Sequence, residues 1–390
     1  MKLRLFSSLC FFAAAWATTL EAAPIEGPSV RVAVLQEVSA LRLTVEGPCR
    51  LLDLKKGTVL AQWPDLGWKR VAPTASGLSI GDRSFPASVL LEPLNGALFR
   101  LDSRPYRGSL ILRRTPKGRL TLINRLDLED YLVGALNSEV SAGWPMEALK
   151  AHAVVSRTMV AHRIWIRKGQ DFDVTSDAST HLYHGVAAER GRTREAVEAT
   201  RGQVLVFDGE LFSATFHANC GGHTEDVAEL WEVKRKIPPL RGVPDPHCKN
   251  LKHYRWNLEL DSDEFQRLLG PEAAETGAME GIEIVERNES GRARSIRLRG
   301  DRGTVTLTGR RFRELLGANR LRSLNFTVLF QPGKVSFSGF GWGHGVGLCQ
   351  WGAFGMARNG RSMDEVLSFY FPEARRCSLK GLPGFPRLSY

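Results

Sequence analysis

LEDYLVGALNSEVSAGWPMEALKAHAVVSRTMVAHR, residues 128–163, is read as two helices that meet at a loop, and the rest of the chain is organised around that pair. In the first helix Leu128, Leu132, Ala135 and Leu136 recur at helical spacing and form one apolar face. The second is expected to open at Trp144-Pro145, because proline suits a first turn where its missing N–H has no partner to lose. Glu147 in that turn complements the positive end of the helix dipole. Met146, Leu149, Ala153 and Val160 lie along one side and predict a core-packed helix, while Lys150 and Arg157, seven residues apart, share another face. The loop holds Ser138, Ser141, Gly143 and a single carboxylate, Glu139. An acid beside a cationic helix face is either an ordinary ion pair or a site for an anionic or polar substrate.

Working outward, residues 28–126 alternate short apolar runs with Gly, Pro and Asp turns, which predicts a β-rich region leading straight into the helices. After them come a turn-rich segment at 173–183, a helix at 189–200 and strands at 202–209 and 211–217. Residues 254–328 change texture, with strands and short helices at 261–269 and 309–316, and read as an insertion. The expected fold class is α+β: a β-rich N-terminal region continuous with a helical catalytic core, plus an inserted α+β subdomain. The expected division is a signal peptide at 1–23, the β-rich region at 24–126, the core at 127–253, the insertion at 254–330 and a glycine-rich closing segment at 331–380.

The 390 residues exceed one typical core and carry a net charge of +11. Lys2 and Arg4 ahead of an apolar run ending at Leu20, with Ala22 and Ala23 behind it, have the layout of a secretory signal peptide. No later segment reaches the roughly 20 apolar residues of a membrane span. An exported basic chain points away from nucleic acid and toward acidic envelope polymers, in the periplasm or cell wall. Cys10 lies in the leader, leaving Cys49, Cys220, Cys248, Cys349 and Cys377, an odd set to be read for an oxidising compartment.

Two further stretches carry chemistry. Glycines at 339, 341, 343, 345, 347 and 352, with Trp342, His344 and Gln350 among them, require positive φ or close backbone approach. A helix starting near Gln350 would place the amides of Gly345, Val346 and Gly347 where they can hold an anionic or carbonyl oxygen. Cys220-Gly221-Gly222-His223-Thr224, with His217 upstream and His247-Cys248 downstream, offers up to four metal ligands, though without a CxxC pair. A Cys220–Cys248 disulfide competes equally with a structural zinc. Thr224 is expected to face a cleft.

These residues resemble the SpoIID/LytB family, the stage II sporulation protein D and amidase-enhancer proteins of bacterial cell-wall metabolism. The resemblance rests on Leu128-Glu129-Asp130-Tyr131-Leu132 with Gly134, Ser138-Glu139-Val140, Trp144-Pro145 through Ala153, Ser156-Arg157-Thr158, Gly221-Gly222-His223-Thr224, and Gly341 through Ala353. It implies lytic transglycosylation of peptidoglycan with Glu139 as the catalytic acid, and site residues at Lys150 and Arg157. With Thr224, Trp342, His344, Gly345 and Gln350 these make the expected substrate-binding set. Cys349, Trp351 and His152 stand where members commonly carry Ser, Tyr and Gln. The implied partners are peptidoglycan glycan strands and a cell-wall amidase; no cofactor is required.

A single carboxylate suits this chemistry, since a glycoside hydrolase needs two. The acid must be protonated at neutral pH, yet Lys150 and Arg157 close by would oppose that. The sequence reading therefore sets them a few ångströms away on acetamido or stem carboxylate groups and has Trp144 or Trp342 desolvate the acid. The runner-up is a non-catalytic enhancer of an amidase. A zinc amidase would instead need His217, Cys220, His223 and Cys248 to converge about an open coordination position.

Overall fold

The structure, a computed structural model, describes residues 27–177, 180–231, 233 and 235–382. The expected signal peptide at 1–23 lies outside them. Two sheets make up the N-terminal region, antiparallel throughout except where the edge strand Val174–Thr175 pairs parallel with Ser29–Val38. One is seven-stranded, in the order Val174–Thr175, Ser29–Val38, Leu120–Asp127, Ser109–Arg114, Ser88–Pro93, Cys49–Asp53 and Val59–Trp63. The other is six-stranded, with Leu98–Leu101, Leu41–Glu46 and Lys69–Pro73 at its centre. Their inner faces close over one core containing Leu43, Leu51, Val71, Phe99, Leu110 and Leu122.

The sheet passes directly into helix. Asp127 ends its strand opposite Ser29, and its carboxylate accepts the Glu129 amide at 2.8 Å, capping helix α1 (Leu128–Glu139). Leu128, Leu132 and Leu136 bury the face that the spacing predicted, in the same core as the sheets. Helix α2 (Met146–Ile166) follows with Pro145 as its N-cap residue. Glu139 is thus the last residue of α1 rather than a loop residue, and Ser138 is helical too.

Helix α2 is buried without interruption from residue 151 to 161, because two cores share it. Leu149, Ala153 and Val160 pack on the sheets and α1, while Ala151, Val154 and Val155 pack with Leu205, Phe212, Leu348, Ala353 and Val366. The second core also takes in the helix Gln350–Arg358, which starts where it was expected, and the closing helix Met363–Tyr370. Helix α3 (Gly191–Ala199) packs against both α1 and α2.

The insertion has a core of its own, built from Trp256, Phe265, Ile296, Phe312, Phe326 and Phe337. Its helices Ser262–Leu269 and Gly309–Leu316 fall where the sequence put them. Its end does not. Strand Lys334–Phe340 lies between Arg255–Asp261 and Phe326–Gln331, pairing Arg255 with Phe340 and Asp261 with Lys334. The unit therefore runs on to 340, ten residues beyond the expected boundary. Among the described residues no helix is long and apolar enough to cross a membrane.

Candidate active site

Glu139 stands half-buried where α1 stops, and one carboxylate oxygen accepts the Leu182 amide at 3.3 Å. It opens onto a cleft of about 530 Å³ lined by Met159 and Arg163 of α2, by Thr180, Leu182 and the 213–218 segment, by Trp231 and Arg313, and by Trp342, His344 and Gln350. Glu139 is the only acid among the described residues lining it. Burial pushes its carboxyl above the ordinary carboxylate range, opposed only by the Leu182 amide, and no cation contributes. The negative end of α1 acts in the same direction.

The sign for pH follows. A group whose pKa is raised on folding stays protonated to higher pH, so activity that needs the acid form is present below that pKa and fades as pH rises through it. The alkaline limb of kcat/KM is expected above the reference of about 4.3 for free glutamate. A rate that climbs steadily from pH 4 to 9 would contradict this.

A buried polar chain fixes the segment that holds Glu139. Gln350 Nε2 donates to His152 Nε2 at 3.0 Å, His152 Nδ1 meets Ser156 Oγ at 3.1 Å, Ser156 Oγ meets His181 Nε2 at 3.2 Å, and His181 Nδ1 meets Tyr131 OH at 3.0 Å. Burial brings His152 down to about 4 and, with His152 beside it, His181 to about 3. Both rings are therefore neutral at pH 7 and can alternate donor and acceptor along the chain. His181 precedes the Leu182 amide, so the network ties Gln350 on one cleft wall to the acid on the other.

His344 is neutral as well, brought down to about 4 by burial and the nearby Arg313. Its Nδ1 accepts the Val346 amide at 3.0 Å, and its ring sits 5.2 Å from Trp231 and 5.6 Å from His217. Trp342 is pinned by the Arg322 guanidinium 4.5 Å over its ring and by His253 edge-on. Two of the glycines have visible reasons. Gly343 has φ +119°, and a Cβ there would lie 2.7 Å from that of His217; at Gly347, φ +77°, it would strike the Thr215 carbonyl. His217 is buried, with Nδ1 at 3.2 Å from the Val346 carbonyl and no partner for Nε2 among the described residues.

Several expected site residues lie elsewhere. Arg157 is fully buried and forks onto Glu129, with Nη2 at 2.6 Å, while its remaining donors reach the Val197 and Gln203 carbonyls. It is a structural ion pair. Lys150 pairs with Glu147 at 2.8 Å, and Glu147 in turn accepts the Met363 amide, so that face meets the closing helix and not the cleft. Thr224 is 1% exposed, its hydroxyl spent on the Val243 backbone in both directions. Gly345 is buried with φ +91° and would crowd the Arg292 guanidinium with any side chain. Of the expected anion-binding amides, that of Val346 is engaged internally, donating to His344 Nδ1. Trp144 packs tilted against Trp351 and edge-on to Phe354.

The histidines expected as metal ligands are also occupied apart: His217 as above, His223 Nδ1 against the Thr224 carbonyl, and the His247 ring edge-on to Phe369. An open zinc centre built from His217, Cys220, His223 and Cys248 is not what the fold assembles. Sequence reasoning missed Arg163 and the 213–218 wall. The available signal for Arg163 was its place one turn beyond Met159 on α2, which lines the same cleft.

Fold and cleft together define a mixed α+β protein with one acid facing a glycine-rich turn. The stage II sporulation protein model SpoIID matches residues 116–207, spanning α1, α2 and α3, and a domain of unknown function matches residues 240–347. An uncharacterized protein of Brachyspira hyodysenteriae is 30% identical over 344 residues, covering 88% of this chain and 91% of that one. Stage II sporulation protein D of Bacillus subtilis is 28% identical over 64% of this chain and 74% of its own length. The amidase enhancer of Bacillus subtilis is 26% identical over 62% of this chain, which spans only 39% of that protein. The chain belongs to the SpoIID/LytB family.

Proposed function

We propose that this protein is an exported lytic transglycosylase that cleaves the MurNAc–GlcNAc bond of peptidoglycan with Glu139 as its single acid and base. The observation that carries the reading is the lone carboxyl in the cleft, held toward its protonated form by burial. Glu139 protonates the glycosidic oxygen as the C1–O bond breaks. The resulting carboxylate takes the proton of the muramoyl C6 hydroxyl as O6 bonds to C1. The products are a 1,6-anhydro-muramoyl end and a GlcNAc end with a free 4-hydroxyl, with no water consumed. His217 Nε2, without a partner among the described residues, accepts a hydrogen bond from a sugar hydroxyl in the same cleft.

Arg163 supplies the cationic role that the sequence gave to Lys150 and Arg157. It lines the cleft, and among the described residues its guanidinium has no acid partner. An anionic group on the muramoyl sugar, either a stem carboxylate or the lactyl carboxylate of a stripped strand, is its natural ligand. Arg163→Ala is expected to raise KM for glycan by about tenfold with a smaller change in kcat, since a charged hydrogen bond contributes roughly 1.5–3 kcal/mol. Equal loss in kcat with KM unchanged would remove Arg163 from substrate binding.

The test is incubation of the purified protein with intact and with peptide-stripped glycan, followed by product masses. New anhydro ends, lighter by one water than hydrolytic ends, support the reading. Reducing ends would mean hydrolysis. Absence of new ends together with stimulation of a cell-wall amidase would replace the enzyme by the enhancer role that one relative's name carries.

A further inference from the structure

We propose that Cys220, Asp245, Cys248 and Cys349 form a closed tetrahedral site for one divalent metal ion, zinc by its donor set, which staples the cleft wall. Their ligand atoms all lie within 4.8 Å of one another, and all four residues are buried. Donors about 2.0–2.3 Å from a tetrahedral zinc are spaced about 3.5–3.8 Å apart. Cys220 Sγ lies 3.4 Å from Cys248 Sγ and 3.1 Å from Asp245 Oδ2, so a small expansion admits the ion.

Backbone donors converge on one of the sulfurs. Cys349 Sγ accepts two backbone amides, from Cys220 at 3.2 Å and Gly352 at 3.3 Å. It also occupies the N-cap of the helix Gln350–Arg358, where the dipole favours an anion. Asp245 is 1% exposed and, among the described residues, has no Lys or Arg partner. A buried carboxylate among thiols with no cation is expensive unless a metal neutralises it. Tyr370 OH at 2.9 Å and the His247 amide at 2.8 Å orient its two oxygens, as outer-shell donors do around a metal.

A disulfide accounts for less. Joining Cys220 to Cys248 would leave the Asp245 carboxylate in the same dry pocket with hydrogen-bond donors but no cation to neutralise it. The span also leaves room for a single ion and not a cluster. With all four positions filled by protein the metal is structural, and binding releases the thiol protons to solvent. It joins three distant segments: the strand Phe216–His217 and its loop, the 245–248 turn, and the strand Leu348–Cys349 that pairs with Phe216–His217. His217 and Gln350 of the cleft thus hang from the staple. The proposal does not depend on the transglycosylase reading.

The experiment is metal analysis of the full chain, purified without chelator after expression with zinc, with the cobalt-substituted protein examined for thiolate-to-metal absorption. About one zinc per chain is expected, with a cobalt spectrum of three thiolates. His247→Ala should keep the metal, because only its backbone amide takes part, whereas Cys349→Ser and Asp245→Asn should lose most of it. Should those variants fail to fold, X-ray absorption on the parent still decides, with three sulfurs and one oxygen expected. Metal-free protein, whether with a Cys220–Cys248 disulfide or with three free thiols by mass, would overturn the proposal, as would metal lost in His247→Ala.

Discussion

Glu139→Gln should abolish anhydro-end formation, lowering the rate by roughly 10²- to 10⁴-fold, the usual contribution of a positioned acid and base. Glutamine keeps the shape and still accepts the Leu182 amide hydrogen bond, but has no proton of the required acidity. Because burial raises the carboxyl of the parent, ionising it at neutral pH opposes folding: the stabilising state is the protonated one, lost as pH rises through the raised pKa. The variant should therefore fold at least as stably as the parent at pH 7, which separates loss of chemistry from loss of structure. Glycan strands bound by the inactive variant would show the same retention as before. Undiminished anhydro products from Glu139→Gln would end the single-acid mechanism.

Arg157→Ala should be the most destabilising single change in the α1–α2 region, by about 3–5 kcal/mol, since it strands Glu129 in a dry site with one remaining amide donor, Gly202. The guanidinium fills a slot between α1, α3 and the 200–203 turn, with donors to Glu129, Thr200, Val197 and Gln203. Lysine cannot reproduce that fork, so Arg157→Lys should recover only part of the loss. Denaturant midpoints of the two variants and of the double change Arg157→Leu with Glu129→Leu check this, the pair being expected to regain stability that either single change loses. Normal stability with weakened glycan binding in Arg157→Ala would return the residue to the cleft.

The contrast between these two residues shows what the linear chain discloses. Helices are legible where an apolar stripe recurs at helical spacing, as in Leu128–Glu139 and Gly309–Leu316, while the Asp127 cap is seen only in the structure. Spacing correctly set Lys150 and Arg157 seven apart, yet could not say which face of α2 meets the cleft, because a helix buried on both sides presents no polar stripe to orient it. The thiol site failed for another reason. Cys349 is 129 residues from Cys220, so the sequence offered neighbouring histidines instead, whereas folding brought Cys349 through strand pairing with Phe216–His217. The strand Lys334–Phe340 alternates buried and exposed positions, but its glycines drew it into the closing segment.

The pairing of Arg255 with Phe340 has a further consequence. The chain enters and leaves the insertion through one antiparallel ladder, and Arg292 of the insertion also donates to the Cys220 and His223 carbonyls while Arg313 lines the cleft. A module attached in this way can vary at its far end, whereas a change at Arg292 or Arg313 reaches the cleft wall itself.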